Sequence, residues 1–582
     1  MTWYLGIGSS HDASAALYRD GELVAAVSEE RISRVKCDGE RLPEGAIDAC
    51  LRIAGIGRRD VDRLGLLYAF YPEEYVERDN ALKELERRLS RWMKSLTGRS
   101  PRGQFWVNQM LHRLAPRGER FEPHFRAALF LEREGFRDDA RLTFFDHHLT
   151  HAVPAAHYAG LGDCAVIVMD GGGDLWTNHT SSTWKGGKLA CLHASDVAGT
   201  SSGYFYAQIT KLLGFTPMRH EGKVLGLAAY GDPKPLYDAF RRALRPRPDG
   251  TGFDSDFAGV ESAEDARTEY LRGAIAGHSR ENVAAAAQQV LEDAAVPVVR
   301  NFVRETGLAR VALNGGVFAN VKLNQRIAAL PEVERIFVYP PMSDTGNALG
   351  CALLAMEKDH PGTLSAGGMA LETVYWGPGF DQDSICQEIN RRGLDFKELS
   401  ENDILEKAAQ AIHAGSIVGW FQGRMEFGPR ALGNRSMLAR PTDAAINKWL
   451  NERLNRTEFM PFAPSVLAEH AEAIFDNVPK AAHPAEFMTV TFDVKPDWRG
   501  RIPAVVHVDG TARPQLVRRD RNPLYWQLIE RYRQLSDIPL VLNTSFNVHE
   551  EPIVCAPGEA IQALEDNRID CLAIGRCWLE AS

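Results

Sequence analysis

Short apolar runs separated by polar turns make up the start of the chain. The segment "TWYLGIGSSHDASAALYRDGELVAAVSEERIS" (residues 2–33) contains three such runs, with turns at Gly8–Asp12 and Asp20–Gly21. Apolar runs of this length, bounded by Gly, Asp and Ser, are typical of β-strands joined by tight turns. The pattern therefore predicts three short strands, of which the first two are joined by a turn that contains glycine.

Three later apolar runs end directly in glycine or in a polar turn. They are "CAVIVMDGGGD" (164–174), "RVALNGGVFAN" (310–320) and "IFVYPPMSDTGNALG" (336–350). Glycine after a strand lets the backbone approach a phosphate or a sugar, and a helix that follows offers free N–H groups to an anion. We therefore predict a nucleotide-binding cleft between two lobes.

A stretch rich in Gly and Pro, "HPGTLSAGGMALETVYWGPGF" (360–380), interrupts the periodic pattern. We predict one domain at residues 1–362 and a second, α/β domain at residues 381–582. Within the first domain, a mostly helical insertion is expected at about residues 75–140. Insertions of this kind often shape the pocket for a variable substrate.

Composition and charge exclude several classes of protein. The 582 residues are 45% hydrophobic and 25% charged, as in ordinary globular proteins of more than one domain. A net charge of −10 argues against a general nucleic-acid surface. The one basic region, at residues 87–105, is interpreted as a solvated helix and loop, with anion or acceptor binding as the alternative.

No apolar run approaches the roughly 20 residues of a membrane span, and the N-terminus lacks the pattern of a signal peptide. The nine cysteines form no CxxC pair, so we expect reduced thiols and no cysteine-ligated zinc. These features predict a soluble, cytoplasmic protein without a membrane partner.

The segment "FFDHHLTHA" (144–152) carries three histidines behind an apolar run. With Asp146 as the N-cap of a helix, His147 and His151 are four residues apart and share one face, as two ligands of one metal ion must. His148 points elsewhere. Spacing alone leaves the alternative open that these histidines only pack and hydrogen-bond between lobes.

Carboxylates at strand ends are the natural source of further ligands. Asp170 closes "AVIVMD" and Asp344 lies in "PPMSDTG", so each follows a buried-type strand at the predicted cleft. Two histidines with one or two carboxylates favour iron or a similar divalent ion. The alternative for either aspartate is to cap a helix or to bind Mg²⁺ through water.

Eleven motifs along the chain are similar, in sequence and in order, to those of one enzyme family. The sequence resembles the O-carbamoyltransferases of antibiotic and nodulation-factor biosynthesis, the tobramycin and NodU type. The resemblance covers essentially the whole chain, and its motifs are "HDASAAL" (11–17), "EERISRVK" (29–36), "HHLTHA" (147–152), "VMDGGGD" (168–174), "GKVLGLAAYG" (222–231), "NGGVFAN" (314–320), "SDTGNALG" (343–350), "FGPRALGNRSMLA" (427–439), "MPFAPS" (460–465), "HVDGTARPQ" (507–515) and "NTSFNVHEEPIV" (543–554).

This resemblance implies a fold and a reaction. The N-terminal domain would be actin-like and two-lobed, similar to the tRNA threonylcarbamoyl transferase, and the C-terminal α/β domain would be similar to YrdC. The C-terminal domain would convert carbamoyl phosphate and ATP into carbamoyl adenylate, releasing phosphate and pyrophosphate. The N-terminal domain would then transfer the carbamoyl group to a hydroxyl of a small-molecule acceptor, and AMP would leave.

The resemblance also implies site residues, by position. It implies Fe²⁺ or another divalent metal on His147, His151, Asp170 and Asp344. His11 would lie beside the carbamoyl adenylate and orient it or help deprotonate the acceptor; the alternative is a turn residue bonded to local backbone. The family's nucleotide contacts in the N-terminal domain correspond to Lys36, Gly203, Gly316 and Asn320, although Lys36 also fits a plain surface cation.

In the C-terminal domain the resemblance implies a site for carbamoyl phosphate and ATP, with Mg²⁺. Arg430 would act there as a catalytic and phosphate-binding residue, and its alternative is an ordinary salt bridge. The other matching positions are Arg513, Asn543, Ser545 and Asn547.

The sequence departs from the family pattern before "PFAPS". Relatives carry a lysine and a further arginine there, whereas this chain has Asn455 and Met460 at roughly those positions. Arg453 or Arg456 is a candidate to supply the cation instead.

Two other functions share part of the pattern. An actin-like sugar or small-molecule kinase would have the glycine turns but would not need the histidine pair, and a nucleotide-binding regulator would have no turnover. Acceptors in the family range from aminoglycosides and macrolides to lipo-oligosaccharides, and the sequence does not choose among them. The family also suggests a homodimer.

Overall fold

The computed structural model describes residues 1–67, 75–76, 125–174, 177–195, 198–258, 263–364, 368–454 and 461–581. The chain forms two compact units, one of Met1–Val24 and Gly39–Ala370, the other of Ala25–Asp38 and Leu371–Ser582. The break after residue 370 lies between the predicted domain limits at 362 and 381. The prediction did not place residues 25–38 with the second domain.

The first unit contains a five-stranded sheet in the order β3-β2-β1-β4-β5. Strand β1 pairs antiparallel with β2 and parallel with β4, and β4 pairs parallel with β5. The three predicted N-terminal strands are present. The bounds are β1 (Trp3–Gly8), β2 (Ser14–Arg19), β3 (Glu22–Ser28), β4 (Arg63–Leu67) and β5 (Arg141–Phe145).

A second five-stranded sheet repeats this arrangement in the order β12-β11-β6-β7-β8. Its first strand, β6, again pairs antiparallel with the next strand and parallel with a later one, β11. Two sheets with this shared topology are what a two-lobed, actin-like domain requires, and that prediction is confirmed. The bounds are β6 (Cys164–Met169), β7 (His179–Lys185), β8 (Lys188–Ser195), β11 (Arg310–Asn314) and β12 (Arg335–Val338), with a separate hairpin of β9 (Arg245–Pro246) and β10 (Phe253–Asp254).

Helices cover these sheets. Helix α1 (Glu29–Ser33) belongs to the second unit. The first unit has α2 (Glu44–Ala54), α3 (Ala127–Arg133), α4 (His147–His157), α5 (Ser202–Leu212), α6 (Glu221–Ala228), α7 (Lys234–Ala243), α8 (Ala263–Ile275), α9 (Arg280–Thr306), α10 (Val321–Ala328) and α11 (Asn347–Asp359), with 3₁₀ turns at Arg58–Asp60, Ala198–Thr200, Gly316–Ala319 and Asp344–Gly346.

Helix α11 lies directly on β1 and β4 because two glycines leave room for its backbone. A side chain at Gly6 would overlap the carbonyl of Ala348, and one at Gly65 would overlap that of Cys351. This close packing brings the turn before α11, which contains Asp344, to the end of β1. The "SSHDAS" turn after β1 contains His11.

The second unit is built on a mixed eight-stranded sheet in the order β13-β22-β21-β14-β15-β20-β16-β19. The strands are β13 (Lys397–Glu398), β14 (Val418–Phe421), β15 (Arg435–Ala439), β16 (Ala463–Leu467), β19 (Gln515–Val517), β20 (Leu540–Ser545), β21 (Cys571–Ile574) and β22 (Cys577–Glu580), besides the small pair β17 (Phe492–Asp493) and β18 (Thr511–Ala512). Trp420 and Tyr525 are buried in its core. The predicted α/β class of this domain is confirmed, and its likeness to YrdC stays a prediction.

The described part of the second unit has eight further helices. They are α12 (Gln382–Arg391), α13 (Glu401–Ala414), α14 (Ile446–Arg453), α15 (Ala471–Ile474), α16 (Ala482–Ala485), α17 (Pro496–Arg499), α18 (Pro523–Ser536) and α19 (Pro557–Glu565), with 3₁₀ turns at Ala468–His470, Val478–Ala481 and Pro503–Val505. None of the helices that the structure describes is both long and apolar enough to cross a membrane.

Of the insertion predicted at about residues 75–140, the described parts are residues 75–76 and 125–140, which contain α3. The basic region at residues 87–105 lies outside the described residues.

Candidate functional site

Helix α4 presents the histidine pair. It begins after Asp146, whose side chain accepts a hydrogen bond from the N–H of Leu149 at 3.0 Å, as the predicted N-cap does. The rings of His147 and His151 follow on one face with centroids 4.8 Å apart. The cap and the four-residue spacing therefore aim both imidazoles at the same point.

Two carboxylates meet these histidines. His147 Nε2 lies 3.2 Å from Asp170 Oδ2 and 3.3 Å from Asp344 Oδ1, and His151 Nε2 also lies 3.3 Å from Asp344 Oδ1. All four side chains are buried, and one donor atom of each lies within 4.8 Å of the others. The structure thus brings together the four residues predicted as metal ligands.

The donor set fits a divalent cation. The Nε2 atoms of His147 and His151 face each other at 3.2 Å. Ligands held at about 2.1 Å from one ion lie roughly 3 to 3.5 Å from each other, so this separation suits a shared ion. Two carboxylates also bring two negative charges into a buried site, and one divalent cation balances them.

Without a cation, the buried charges compensate one another. Burial opposes ionisation of Asp344, but His147 and His11 hold the pKa of its carboxyl well below the usual range. Burial likewise opposes the charge on His147, yet Asp344 and Asp170 raise the pKa of its imidazole well above the usual value. The cluster is therefore poised to exchange a proton for a metal ion.

The third histidine faces away from this cluster. His148 Nε2 donates to the carbonyl of Thr177 at 2.8 Å, and its Nδ1 lies 3.4 Å from Thr180 Oγ1. Burial, with repulsion from His147, lowers the pKa of His148 to about 3. It stays neutral and braces α4 against β7.

His11 contacts the ligand set through Asp344. Its Nδ1 lies 3.0 Å from Asp344 Oδ2, the oxygen opposite the one near the histidine pair, and its Nε2 lies 3.5 Å from Asp12. Burial lowers the pKa of His11, but Asp344 and Asp12 outweigh burial and raise it to about 10. The side chain keeps 29% of its surface exposed, so it is open to a ligand.

One residue beside His11 was missed from the sequence. A side chain at Gly39 would overlap the carbonyl of His11, so the chain must have glycine where it passes this turn. The available signal was the Asp38-Gly39 dipeptide, which is a turn signature without any indication of its neighbour.

The glycines predicted to hold a nucleotide pack around Asp170. The N–H of Gly316 donates to Asp170 Oδ1 at 2.9 Å, which fixes the carboxylate. A Cβ at Gly203 would lie 2.7 Å from the backbone N of Gly171. Both glycines thus lie against the end of β6, and their contact with a nucleotide stays a prediction.

The side chain of Asn320 is already engaged. Its Oδ1 caps α10 by accepting from the N–H of Leu323 at 3.0 Å, and it also accepts from Gln288 Nε2. Its Nδ2 donates to Gln288 Oε1 at 2.8 Å. A bond from Asn320 to ribose or base stays a prediction and requires this amide pair to open.

Lys36 belongs to the second unit, in the segment of residues 25–38. Its charge, with that of Arg31, helps to hold the pKa of Glu30 below the usual value against the effect of burial. Its predicted contact with a nucleotide in the N-terminal domain stays a prediction.

In the second unit, Asn543 on β20 is tied to the loop that carries Arg430. Its Nδ2 donates to Ser465 Oγ at 2.9 Å, to the carbonyl of Ala431 at 3.2 Å and to Gln515 Oε1 at 3.2 Å. Ser465 and Gln515 were not singled out from the sequence, although both lie in family motifs. The structure thus connects one predicted site residue to the loop of another.

Other predicted residues of this unit lie at strand ends. Arg513 directly follows β18, and Ser545 ends β20. Asn547 Nδ2 donates to the carbonyls of Val548 and Glu551 at 2.9 and 2.7 Å, which closes a turn. Asn547 also lines a cavity of about 360 Å³ together with Arg34 and Phe546.

The segment that departs from the family pattern is only partly visible. Asn455, Arg456 and Met460 lie outside the described residues. Arg453 pairs with Asp570 at 2.8 Å and stacks on Trp449 at 3.7 Å, so its guanidinium is already engaged.

Comparison with known proteins decides the family. The family model described as carbamoyltransferase N-terminus matches residues 4–353, more than half of the chain, and the model described as carbamoyltransferase C-terminus matches residues 409–581. The chain belongs to the carbamoyltransferase family. The resemblance read from the motifs is therefore confirmed, and the protein is an enzyme of this class.

Relatives of this carbamoyltransferase cover most of its length. Nodulation protein NolNO of Sinorhizobium fredii is 35% identical over 97% of the chain and 78% of its own length. Nodulation protein NolO of Bradyrhizobium diazoefficiens is 35% identical over 74% of the chain and 78% of its own length. The protein sll1178 of Synechocystis is 31% identical over 99% of the chain and 96% of its own length.

Two solved structures resemble the carbamoyltransferase at a distance. Component A of (R)-2-hydroxyglutaryl-CoA dehydratase from Acidaminococcus fermentans covers 62% of the chain over 99% of its own length, at 15% identity and a TM-score of 0.33. HypF in a phosphate- and nucleotide-bound form covers 62% of the chain and 56% of its own length, at 12% identity and a TM-score of 0.30. Likenesses this low add nothing to the site.

Proposed function

We propose that this carbamoyltransferase is an ATP-dependent O-carbamoyltransferase of the cytoplasm that modifies a hydroxyl of a small natural product, as in antibiotic or nodulation-factor biosynthesis. It would convert carbamoyl phosphate and ATP to carbamoyl adenylate and transfer the carbamoyl group, releasing AMP. The observation that carries the proposal is the buried cluster of His147, His151, Asp170 and Asp344 with His11 bonded to its edge, in a chain of this family.

The first half-reaction belongs to the C-terminal domain in this proposal. Water takes the phosphoryl group from carbamoyl phosphate and releases phosphate; a carbamate oxygen then attacks the α-phosphorus of ATP, and pyrophosphate leaves. Arginine guanidinium groups bind phosphate oxygens in pairs and stabilise the charge that develops in such transfers. Arg430 and Arg513 supply these groups, and Mg²⁺ accompanies the ATP.

Four ligands would hold a divalent metal, Fe²⁺ in the first instance, in the N-terminal domain. When bound, the metal supplies Lewis-acid polarisation at the carbamoyl adenylate. The chain contributes two imidazole nitrogens and two carboxylate oxygens, a set that suits iron and similar ions. Gly316, through its N–H, keeps Asp170 in place for this task.

His11 is placed to handle the proton of the acceptor hydroxyl. With its Nδ1 proton donated to Asp344, Nε2 is the atom that can accept the hydroxyl proton. The charge on Asp344 raises the pKa of His11, and a cation that shares Asp344 opposes this effect. A loaded site therefore favours the neutral imidazole that a base requires.

Instability of the intermediates explains why one chain would carry both steps. Carbamate and carbamoyl adenylate hydrolyse readily, so an enzyme gains by making and consuming the mixed anhydride inside the protein. The acceptor would be selected by the N-terminal domain, including the insertion at about residues 75–140. A homodimer is proposed from the family.

Product analysis tests the proposal. Purified protein with Fe²⁺, Mg²⁺, ATP, ¹⁴C-labelled carbamoyl phosphate and a panel of hydroxylated natural products is expected to yield AMP, pyrophosphate and one labelled acceptor in equal amounts. ADP with a phosphorylated acceptor would instead establish the kinase alternative. ATP left intact with every acceptor would contradict both.

A further inference from the structure

Glu426 is a buried carboxylate that binds the backbone of the loop next to it. The side chain is 3% exposed, and its Oε1 accepts from the N–H groups of Leu432 at 2.8 Å, Asn434 at 2.8 Å and Arg435 at 3.1 Å. The first two N–H groups belong to residues 422–434, which join β14 to β15 and contain Arg430, and the third belongs to the first residue of β15. We call residues 422–434 the Arg430 loop.

Two carbonyl groups of the same loop accept hydrogen bonds from side chains of other segments. The carbonyl of Leu432 accepts from Tyr375 Oη and from Gln515 Nε2, both at 2.8 Å, and the carbonyl of Ala431 accepts from Asn543 at 3.2 Å. Gly433 has φ +97°, a left-handed conformation that favours glycine. The residues that follow Arg430 are therefore held through their backbone rather than through their side chains.

The buried guanidinium of Arg435 binds the first residues of the Arg430 loop. Arg435 is fully buried, and its guanidinium donates to the carbonyls of Gln422 at 2.7 Å and Gly423 at 3.2 Å while stacking on Phe421. Glu426 lies close enough to favour this buried cation. The loop thus has an anion bound to its N–H groups and a cation bound to its carbonyl groups.

The second carboxylate oxygen of Glu426 makes no such contact. Within the described residues, Oε2 is buried and has no hydrogen-bond partner. Burying an oxygen without a hydrogen-bond partner costs stability, so the contribution of Glu426 comes from the three bonds of Oε1. The hydrogen bonds that Glu426 makes within the described residues go to the Arg430 loop and to Arg435, the first residue of β15.

We propose that Glu426 is a positioning residue that sets the path of the Arg430 loop and thereby aims Arg430 at the phosphate of its substrate. This inference rests on the proposed function, in which Arg430 binds carbamoyl phosphate. The residue itself touches no substrate and acts only through the loop.

A double-mutant cycle tests this role. Glu426→Met keeps the size and removes the acceptor, whereas Glu426→Gln keeps an oxygen for the same three N–H groups. Each is made in the wild-type chain and in Arg430→Ala, and kcat/KM for carbamoyl phosphate is measured by ATP–pyrophosphate exchange. Glu406→Gln is the control, because this exposed carboxylate of the same unit pairs with Arg531 at the surface.

We expect Glu426→Met to lower kcat/KM about tenfold or more through a raised KM, and Glu426→Gln to lower it about threefold. In Arg430→Ala neither change should lower it further, and Glu406→Gln should have no effect in either background. If the Met variant does not fold by circular dichroism, the threefold loss in the Gln variant and its disappearance in Arg430→Ala carry the test.

Two results would overturn the role. An unchanged kcat/KM in Glu426→Gln shows that the loop does not depend on the carboxylate, and a loss that multiplies with that of Arg430→Ala shows that Glu426 acts independently of Arg430. Absence of any exchange in the wild-type protein is a different outcome, which overturns the proposed function and this role together.

Discussion

His147 and His157 lie at the two ends of helix α4, and their surroundings move their pKa values in opposite directions. His147 is beside two carboxylates, which raise its pKa despite burial. His157 is buried with no such neighbour among the residues that the structure describes, and burial lowers its pKa to about 4. The pKa values of these two buried histidines therefore differ because His147 lies beside carboxylates and His157 does not.

The low pKa of His157 makes the first unit sensitive to acid. The unfolded chain binds a proton on this imidazole below about pH 6.5, whereas the folded chain binds it only below about pH 4. The folded state therefore loses about 1.4 kcal/mol per pH unit as the pH falls from 6.5 towards 4.

His157→Phe removes this effect and keeps an aromatic ring against Tyr158, whose centroid is 4.9 Å from that of His157. In calorimetric scans of metal-free protein, Tm between pH 7 and pH 5 is expected to fall less steeply for the variant than for the wild type. Equal slopes would show that His157 does not titrate on unfolding.

At the scale of elements, the start of α4 could be predicted from the sequence, but its partners could only be guessed. Asp146 and the spacing of His147 and His151 are local signals that the structure bears out in its geometry. The contact between His11 Nδ1 and Asp344 Oδ2 depends on the packing of α11 against β1. This packing brings together segments that are more than 300 residues apart in the sequence. Sequence periodicity contains no such information.

Contacts between distant segments also explain why the roles of several residues could not be predicted from the sequence. Asn320 lies in a motif that predicts contact with a nucleotide, yet its side chain pairs with Gln288 of α9. The other buried residues of α9 are mostly alanine and valine, so nothing in that helix pointed to a polar partner. Ser465 and Gln515 lie in recognised motifs and Glu426 directly precedes one, but their role in holding a loop follows only from three-dimensional contacts.

We expect the N-cap of α4 to link the stability of this helix to metal binding by the histidine pair. Asp146→Ala leaves the N–H of Leu149 without its acceptor and is expected to cost about 1 kcal/mol. Because His147 is the next residue, the same change should weaken metal binding several-fold, as measured by titration with Fe²⁺ or Co²⁺.

Ser279→Ala is the matched control, since Ser279 caps α9 in the same unit by accepting from the N–H of Asn282. Ser279→Ala should lower Tm by about as much as Asp146→Ala does and leave the metal affinity unchanged. Equal metal affinities in the two variants would contradict the link between the cap and the metal site.

At the scale of the whole molecule, the second unit is not continuous in sequence. Arg31 donates to the carbonyl of Gly428 at 2.9 Å, and Arg34 donates to the carbonyls of Pro552 and Ile553 at 2.8 Å. These contacts tie residues 25–38 to the Arg430 loop and to the turn after β20.

A fragment of residues 371–582 is therefore expected to melt at a lower temperature than the same unit in the full chain and to lose ATP–pyrophosphate exchange. A synthetic peptide of residues 25–38, added in excess, should restore part of the melting temperature and part of the exchange activity. A peptide with Arg31→Ala and Arg34→Ala should restore neither. A fragment that is fully stable and active alone would show that the segment is dispensable.

In the reaction that we propose, carbamoyl adenylate is made by one domain and consumed at the metal site proposed for the other. The most direct test measures both half-reactions and the bound metal in His147→Ala, with His193→Ala as control because His193 pairs with Glu305 away from the cluster. We expect His147→Ala to lose the metal and carbamoyl transfer while keeping most of the ATP–pyrophosphate exchange that depends on carbamoyl phosphate. Unchanged transfer, or loss of both half-reactions together in a folded protein, would contradict this division of labour.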